Sequence, residues 1–103
     1  MIRHIVFFSA RNPGDTDAML AGLRRLGEIP HAGVFEVLEN TRIDPLSDEI
    51  DAVVYAEFAD QAALAAWKAH PVYAECIRIV RPLRELRYSV DVVSSLPATR
   101  PAG

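Results

Sequence analysis

The spacing of hydrophobic residues changes several times along the chain, and each change marks an element. Positions 2–10 (IRHIVFFSA) are β-branched and aromatic, too few for an independent helix, and closed by the turn-forming Asn12-Pro13-Gly14. A first strand is predicted there, with His4, Val6 and Phe8 on one face and Ile5 and Phe7 on the other. Met19, Leu20, Leu23 and Leu26 then recur at three- and four-residue spacing, while Asp17, Arg24 and Arg25 fall off that stripe. This is an amphipathic helix that Asp15 or Thr16 can cap and that Gly27 and Pro30 end.

Val34–Glu39 alternates more weakly and reads as a second strand, followed by a polar loop over 40–51. Ala52–Phe58 is the third strand. Asp60 is placed to cap a second helix with Ala63, Leu64 and Trp67 on one face, and His70-Pro71 interrupts it. Pro71 suits the first turn of a third helix, whose Tyr73, Ile77 and Val80 share a face until Pro82 forbids continuation. The last strand is expected over 86–93, and the remaining SSLPATRPAG, with nothing to bury, as a mobile tail or an arm laid on a neighbour. The chain therefore divides into one domain, 1–93, and a tail, 94–103.

Strand, helix, strand, strand, helix pair, strand is the order of an α+β, ferredoxin-like βαββαβ unit, a four-stranded antiparallel sheet with helices on one face. The other face is then bare, yet it carries Ile5, Phe7, Val53 and Tyr55. An apolar patch of that kind marks an interface, so two sheets are expected to pack face to face in a homodimer, a dimeric α/β barrel. Size favours the same outcome: a chain of 103 residues buries only about two-thirds of its unfolded surface by itself.

Composition narrows the partners. A net charge of −3, a pI near 5.5 and eleven scattered basic residues argue against nucleic acid. Cys76 is the only cysteine, which leaves no disulfide framework and no CxxC site. The early charges of MIRHIVFFSA do not fit a signal peptide, and no apolar stretch approaches the roughly 20 residues of a membrane span, so a cytoplasmic protein without membrane contact is expected. Three separated histidines give no metal-ligand spacing and no glycine-rich phosphate loop appears, so neither metal nor cofactor is expected.

The residues able to carry chemistry each read two ways. His4, between apolar neighbours, is either a general base or hydrogen-bond donor to a carbonyl ligand or an imidazole fixed by a protein partner. His70 either reaches a ligand or satisfies free N–H groups at the next helix start. Trp67 and Tyr73 are either pocket walls with polar tips or core packing. Arg81 and Arg84 could pair with Asp91 to hold helix to sheet, or clamp a ligand carboxylate. Cys76 reads as a buried, inert thiol, and His31 as solvated.

Arg3-His4-Ile5-Val6-Phe7-Phe8, Ala52-Val53-Val54-Tyr55-Ala56-Glu57-Phe58, Trp67-Lys68-Ala69-His70-Pro71 and Val80-Arg81-Pro82-Leu83 together resemble the stress-responsive dimeric α/β-barrel (Dabb) family, over residues 1–93. The resemblance implies two ferredoxin-like units joined through their sheets, each with a pocket between sheet and helices. By it, the strand face with His4, Val6 and Phe8 lines that pocket; with the chemistry of the residues themselves this makes His4 and Tyr73 the candidate catalytic residues and Val6, Phe8, Val54, Trp67, His70 and Arg84 the candidate ligand contacts. The implied function is binding of a small molecule, with a stress-related setting. The alternatives are cofactor-free catalysis on a polyketide-like or aromatic carbonyl compound, of cyclase or monooxygenase type, and a purely structural dimer. One plant member is a cyclase that uses a Tyr and a His; the matching positions here are Trp67 and Tyr73, so that pair is not retained. An indole is neither acid nor base, and a tyrosine is a poor base at neutral pH. The binding and catalytic readings need an open cavity near His4, whereas a structural dimer needs Trp67 and Tyr73 to fill it.

Overall fold

Alternation along the strands becomes two chemically different faces of one sheet in the computed structural model, which describes residues 1–99. The elements are β1 (Ile2–Ala10), α1 (Thr16–Arg24), β2 (Val34–Glu39), β3 (Ala52–Phe58), α2 (Gln61–Ala69), α3 (Pro71–Val80) and β4 (Arg84–Val93). The sheet order is β2-β3-β1-β4 with every neighbour antiparallel, the ferredoxin-like arrangement, so β1 and β3 are central and β2 and β4 are edges. The last four positions of the expected tail, 100–103, lie outside the described residues.

The helices cover the face bearing Ile2, His4, Val6 and Phe8 from β1 and Ala52, Val54, Ala56 and Phe58 from β3, all of them buried. From α1 come Met19, Leu20 and Leu23, and a 3-10 turn over Arg25–Glu28 adds Leu26 to the same stripe. Gly22 lets α1 lie close to α3: a Cβ there would sit 2.9 Å from the Val80 side chain and 3.2 Å from that of Ile79. Asp60 caps α2, its carboxylate accepting from the Ala63 N–H at 2.8 Å. The start of α1 differs from expectation, because Asp15 stands at the cap position without bonding a helix N–H, its carboxylate accepting from the Asn12 side-chain amide at 3.2 Å, and the Thr16 hydroxyl donates to the Pro13 carbonyl.

The last strand starts at Arg84, two residues before the position predicted. Its register against β1 shifts between Ser9 and Ala10, so that Ser9 faces Leu86 and Ala10 faces Arg84, with Glu85 extra. A bulge of this kind is hard to read from alternation, since one inserted residue reverses the faces on either side of it. The Ser9 hydroxyl accepts from the Leu86 N–H at 3.1 Å, which satisfies a donor the irregular ladder leaves over.

On the bare face Ile5, Phe7, Val53 and Tyr55 are half-buried, while Tyr88 and Val90 of β4 are 64% and 46% exposed. Residues 94–99 turn back over part of this face. The Ser94 N–H donates to the Met1 carbonyl at 2.9 Å, Arg3 donates to the Pro97 carbonyl at 3.2 Å, and the Thr99 N–H donates to Glu57 at 3.0 Å. Glu57 is thereby buried, accepting also from Arg3 at 2.8 Å and from the Tyr55 hydroxyl at 2.5 Å.

Candidate functional site

His4 lies on β1 directly opposite Asp91 of β4, and its Nδ1 is 2.5 Å from Asp91 Oδ1. Antiparallel partners on one face bring their Cβ atoms to about 5 Å, so a short carboxylate reaches an imidazole across the ladder without distortion. The histidine side chain is buried and that of Asp91 is 38% exposed. Burial pushes the His4 pKa below its ordinary value; the Asp91 contact works the other way, and the charges of Lys68 and Arg87 add to the depression. At neutral pH the contact is therefore a hydrogen bond from a neutral imidazole. A carboxylate only accepts, so Nδ1 carries the proton and Nε2 keeps its lone pair.

The ring of His4 sits edge-on to Phe58 and Trp67, with centroids 6.2 and 5.8 Å away. Trp67 in turn meets Tyr73 of α3 at 5.2 Å. These aromatic contacts leave a narrow cavity of about 20 Å³ between β1, β3 and the helices, room for about one water molecule. His4, Val6, Phe8 and Val54 floor it, Trp67 and Tyr73 wall it, and Leu23, Cys76 and Val80 close the inner side. Its mouth, formed by Tyr73, Ile77, Arg81, Arg84 and Arg87, opens into a groove of about 420 Å³ between α3 and β4. Trp67 and Tyr73 thus fill most of the space beside His4, which is the packing expected of the structural dimer rather than the open cavity expected for a ligand there, and any ligand has to occupy the outer groove.

Seven of the eight residues singled out from the sequence line this one cavity: His4, Val6, Phe8, Val54, Trp67, Tyr73 and Arg84. His70 does not. It caps α3, its Nδ1 accepting from the Val72 N–H at 3.1 Å, and chain punctuation before Pro71 accounts for it. Asp91 also departs from expectation, because its partner is His4 rather than Arg81 or Arg84. Pairing of first with last strand follows from the fold, but the register that puts position 91 beside position 4 is not written in either segment alone.

Arg87 escaped the sequence reading for the same reason as the bulge. Strict alternation puts Arg84 and Arg87, three apart, on opposite faces; the extra residue at Glu85 turns both toward the helices. Burial pushes the Cys76 thiol up, as suits an inert residue of the inner wall. Among the described residues no three His, Cys, Asp or Glu side chains come together as a metal site, and no helix is long and apolar enough to cross a membrane.

With this geometry in hand, comparison with known proteins gives a consistent picture. The profile of the Stress responsive A/B Barrel Domain family matches residues 2–94. No curated protein sequence matches the chain. Among solved structures, a Dabb family protein with a ferredoxin-like fold from Mesorhizobium loti is 28% identical, with a TM-score of 0.76 over 90% of this chain and 95% of that one. A dimeric ferredoxin-like protein from Jannaschia is 20% identical, with a TM-score of 0.79 over 90% and 98%. An antibiotic biosynthesis monooxygenase is likewise 20% identical, with a TM-score of 0.74 over 94% and 100%. The last two likenesses speak to the fold.

Proposed function

The chain belongs to the stress responsive A/B barrel domain family, and from that premise we propose that it is a homodimeric small-molecule-binding protein that holds a flat carbonyl compound in the groove between α3 and β4. The body lies along Tyr73 and Ile77, and the carbonyl end sits at the cavity mouth, joined to His4 through the one water the cavity can hold, which donates one hydrogen to Nε2 and the other to the carbonyl oxygen. The observation that carries this reading is the 2.5 Å contact of His4 with Asp91 in the floor of that cavity. It fixes one ring nitrogen as a donor and leaves the other, for which no partner occurs among the described residues, as an acceptor for the water that bridges to a ligand. The homodimer rests on the bare apolar face and on the dimeric Jannaschia relative.

The same contact favours a second reading, cofactor-free acid–base catalysis on an aromatic carbonyl substrate. A carboxylate that orients an imidazole and stabilises its protonated form is the arrangement of a general base. In this reading His4 Nε2 takes a proton from the carbon next to the carbonyl through the one water the cavity holds, Asp91 stabilises the imidazolium, and the aromatic walls keep bulk water out. Ring closure of the plant cyclase type is not part of it, because Trp67 and Tyr73 occupy the positions of the cyclase pair.

Acetophenone in D2O tests both readings. Saturable quenching of Trp67, the only tryptophan, reports binding, and loss of the methyl proton signal reports exchange. For a general base, His4→Ala is expected to slow exchange by about 10²–10⁴-fold, well beyond any weakening of binding. Binding without exchange leaves the binding protein, and absence of both leaves only the structural dimer.

A further inference from the structure

The groove outside the cavity is cationic in a chain that is acidic as a whole. Arg81 follows α3, Arg84 opens β4 and Arg87 is one bulge further on, and all three line the mouth. None of them meets a carboxylate among the described residues, whereas Arg3, Arg11, Arg24, Arg25 and Arg42 each pair with one. The cluster works against itself: burial disfavours the charged form of Arg84, and Arg87 and Arg81 add repulsion. Exposed Arg78 also lacks a carboxylate, but Arg84 and Arg87 do so while half-buried in one groove, a setting suited to an anion that is not part of the chain.

A second, independent observation comes from the inner cavity. Trp67 is 1% exposed, it lines the cavity, and its indole N–H has no acceptor among the described residues. Buried donors are almost always paired, and an unpaired one costs stability. The groove therefore carries charge at its rim, and the cavity behind it is lined by a residue with an unpaired neutral donor.

We infer that the groove binds a small organic carboxylate, its acid group held by Arg84, Arg87 and Arg81 and its apolar body directed at Trp67 and His4. The inference rests on the proposed ligand cavity and adds the charge of what fills it. The guanidinium fork fits carboxylate and phosphate alike. The aromatic wall and the single N–H behind it select a flat body with an acceptor, which a free inorganic anion lacks.

Benzoate, its neutral isostere benzamide and inorganic phosphate separate the possibilities, with Trp67 fluorescence as the readout. Benzoate is expected to bind saturably and benzamide at least about tenfold more weakly. Arg84→Gln and Arg87→Gln should each weaken benzoate by about ten- to a hundredfold, the range of a charged hydrogen bond, and leave benzamide unchanged. Arg81→Gln, at an exposed position, keeps the test valid should Arg84→Gln disturb folding, which thermal unfolding monitors. Benzamide binding as tightly as benzoate, or arginine variants that bind benzoate like the wild type, would overturn the inference and leave the ligand cavity standing. Phosphate displacing benzoate at equal concentration would overturn the organic ligand in favour of a bare anion patch. No binding by benzoate or benzamide at millimolar concentrations would defeat both the inference and the cavity reading.

Discussion

The two faces of the sheet are built from the same strands and the same alternation, yet they obey different rules. Beneath the helices, Val6, Phe8, Val54 and Phe58 are packed in one cluster, and the polar residue among them, His4, has a partner. On the other side Ile5, Phe7, Val53 and Tyr55 are equally apolar but only half-buried, and the polar residues Arg3 and Glu57 form their own network under the C-terminal segment. Apolar content alone therefore does not locate the core of this domain. The side that receives the helices is the core, and the side that does not is the face we propose as the dimer interface.

The sharpest way to break this symmetry is a matched pair of substitutions. Phe58→Ala empties a fully buried site beside Trp67 and His4 and is expected to cost about 3–5 kcal/mol whatever the protein concentration. Phe7→Asp should leave the monomer folded but weaken association by about a hundredfold or more, since a carboxylate in a closed apolar interface has no partner. Denaturant unfolding at two protein concentrations, with sedimentation alongside, distinguishes them. Equal effects on monomer stability from both variants would mean that the faces are not distinct.

A smaller effect is expected from the polar residue of the covered face. His4→Ala removes a buried hydrogen bond and is expected to cost about 1–3 kcal/mol. The pH dependence carries more information. Because the folded-state pKa of His4 is depressed below 6.5, the unfolded chain binds a proton that the native protein resists. The stabilisation is full above about pH 6.5 and is lost as pH falls below it. Asp91→Asn removes the influence that opposes the depression, so its loss should continue to lower pH. Chemical denaturation between pH 5 and 8 checks this, and a His4→Ala profile that still falls in that window would assign the effect to another group.

Legibility from the sequence followed the kind of information each feature needs. Val34–Glu39 and Ala52–Phe58 were readable because alternation and flanking turn residues are local signals. Most of the cavity lining was readable for a related reason, since the parity of β1 and β3 and the stripe of α3 assign faces without any knowledge of neighbours. What escaped depends on pairing. Asp91 needs the register between the first and last strands, Arg87 needs the bulge at Glu85, and the volume of the cavity needs the actual packing of Trp67 against Tyr73. His70 was legible as a capping residue, and it accepts from the Val72 N–H at the start of α3.

The smallest effect belongs to the segment after β4, and it sharpens the comparison from the bare side. Truncation after Val93 removes Thr99 and Pro97 from the Arg3–Glu57 network but touches no residue of the buried cluster. We propose that the domain 1–93 folds without it, with a cost at neutral pH of about 1 kcal/mol, in line with a few part-exposed hydrogen bonds. Acid titration identifies the origin. Burial by itself raises the Glu57 pKa, but hydrogen bonds from Thr99 and Tyr55 and the charge of Arg3 outweigh it and hold the carboxyl down to about 2. A depressed carboxyl contributes stability that is full above about pH 4.5 and lost as pH falls toward 2. Without Thr99 the Glu57 pKa should move up, so the full-length and truncated proteins should converge in stability as pH falls through that range. Carbon-detected NMR titration of Glu57 in both proteins reads the shift directly. A truncated protein with an unmoved Glu57, or one destabilised as severely as Phe58→Ala, would show that the segment acts through the core instead of through the bare face.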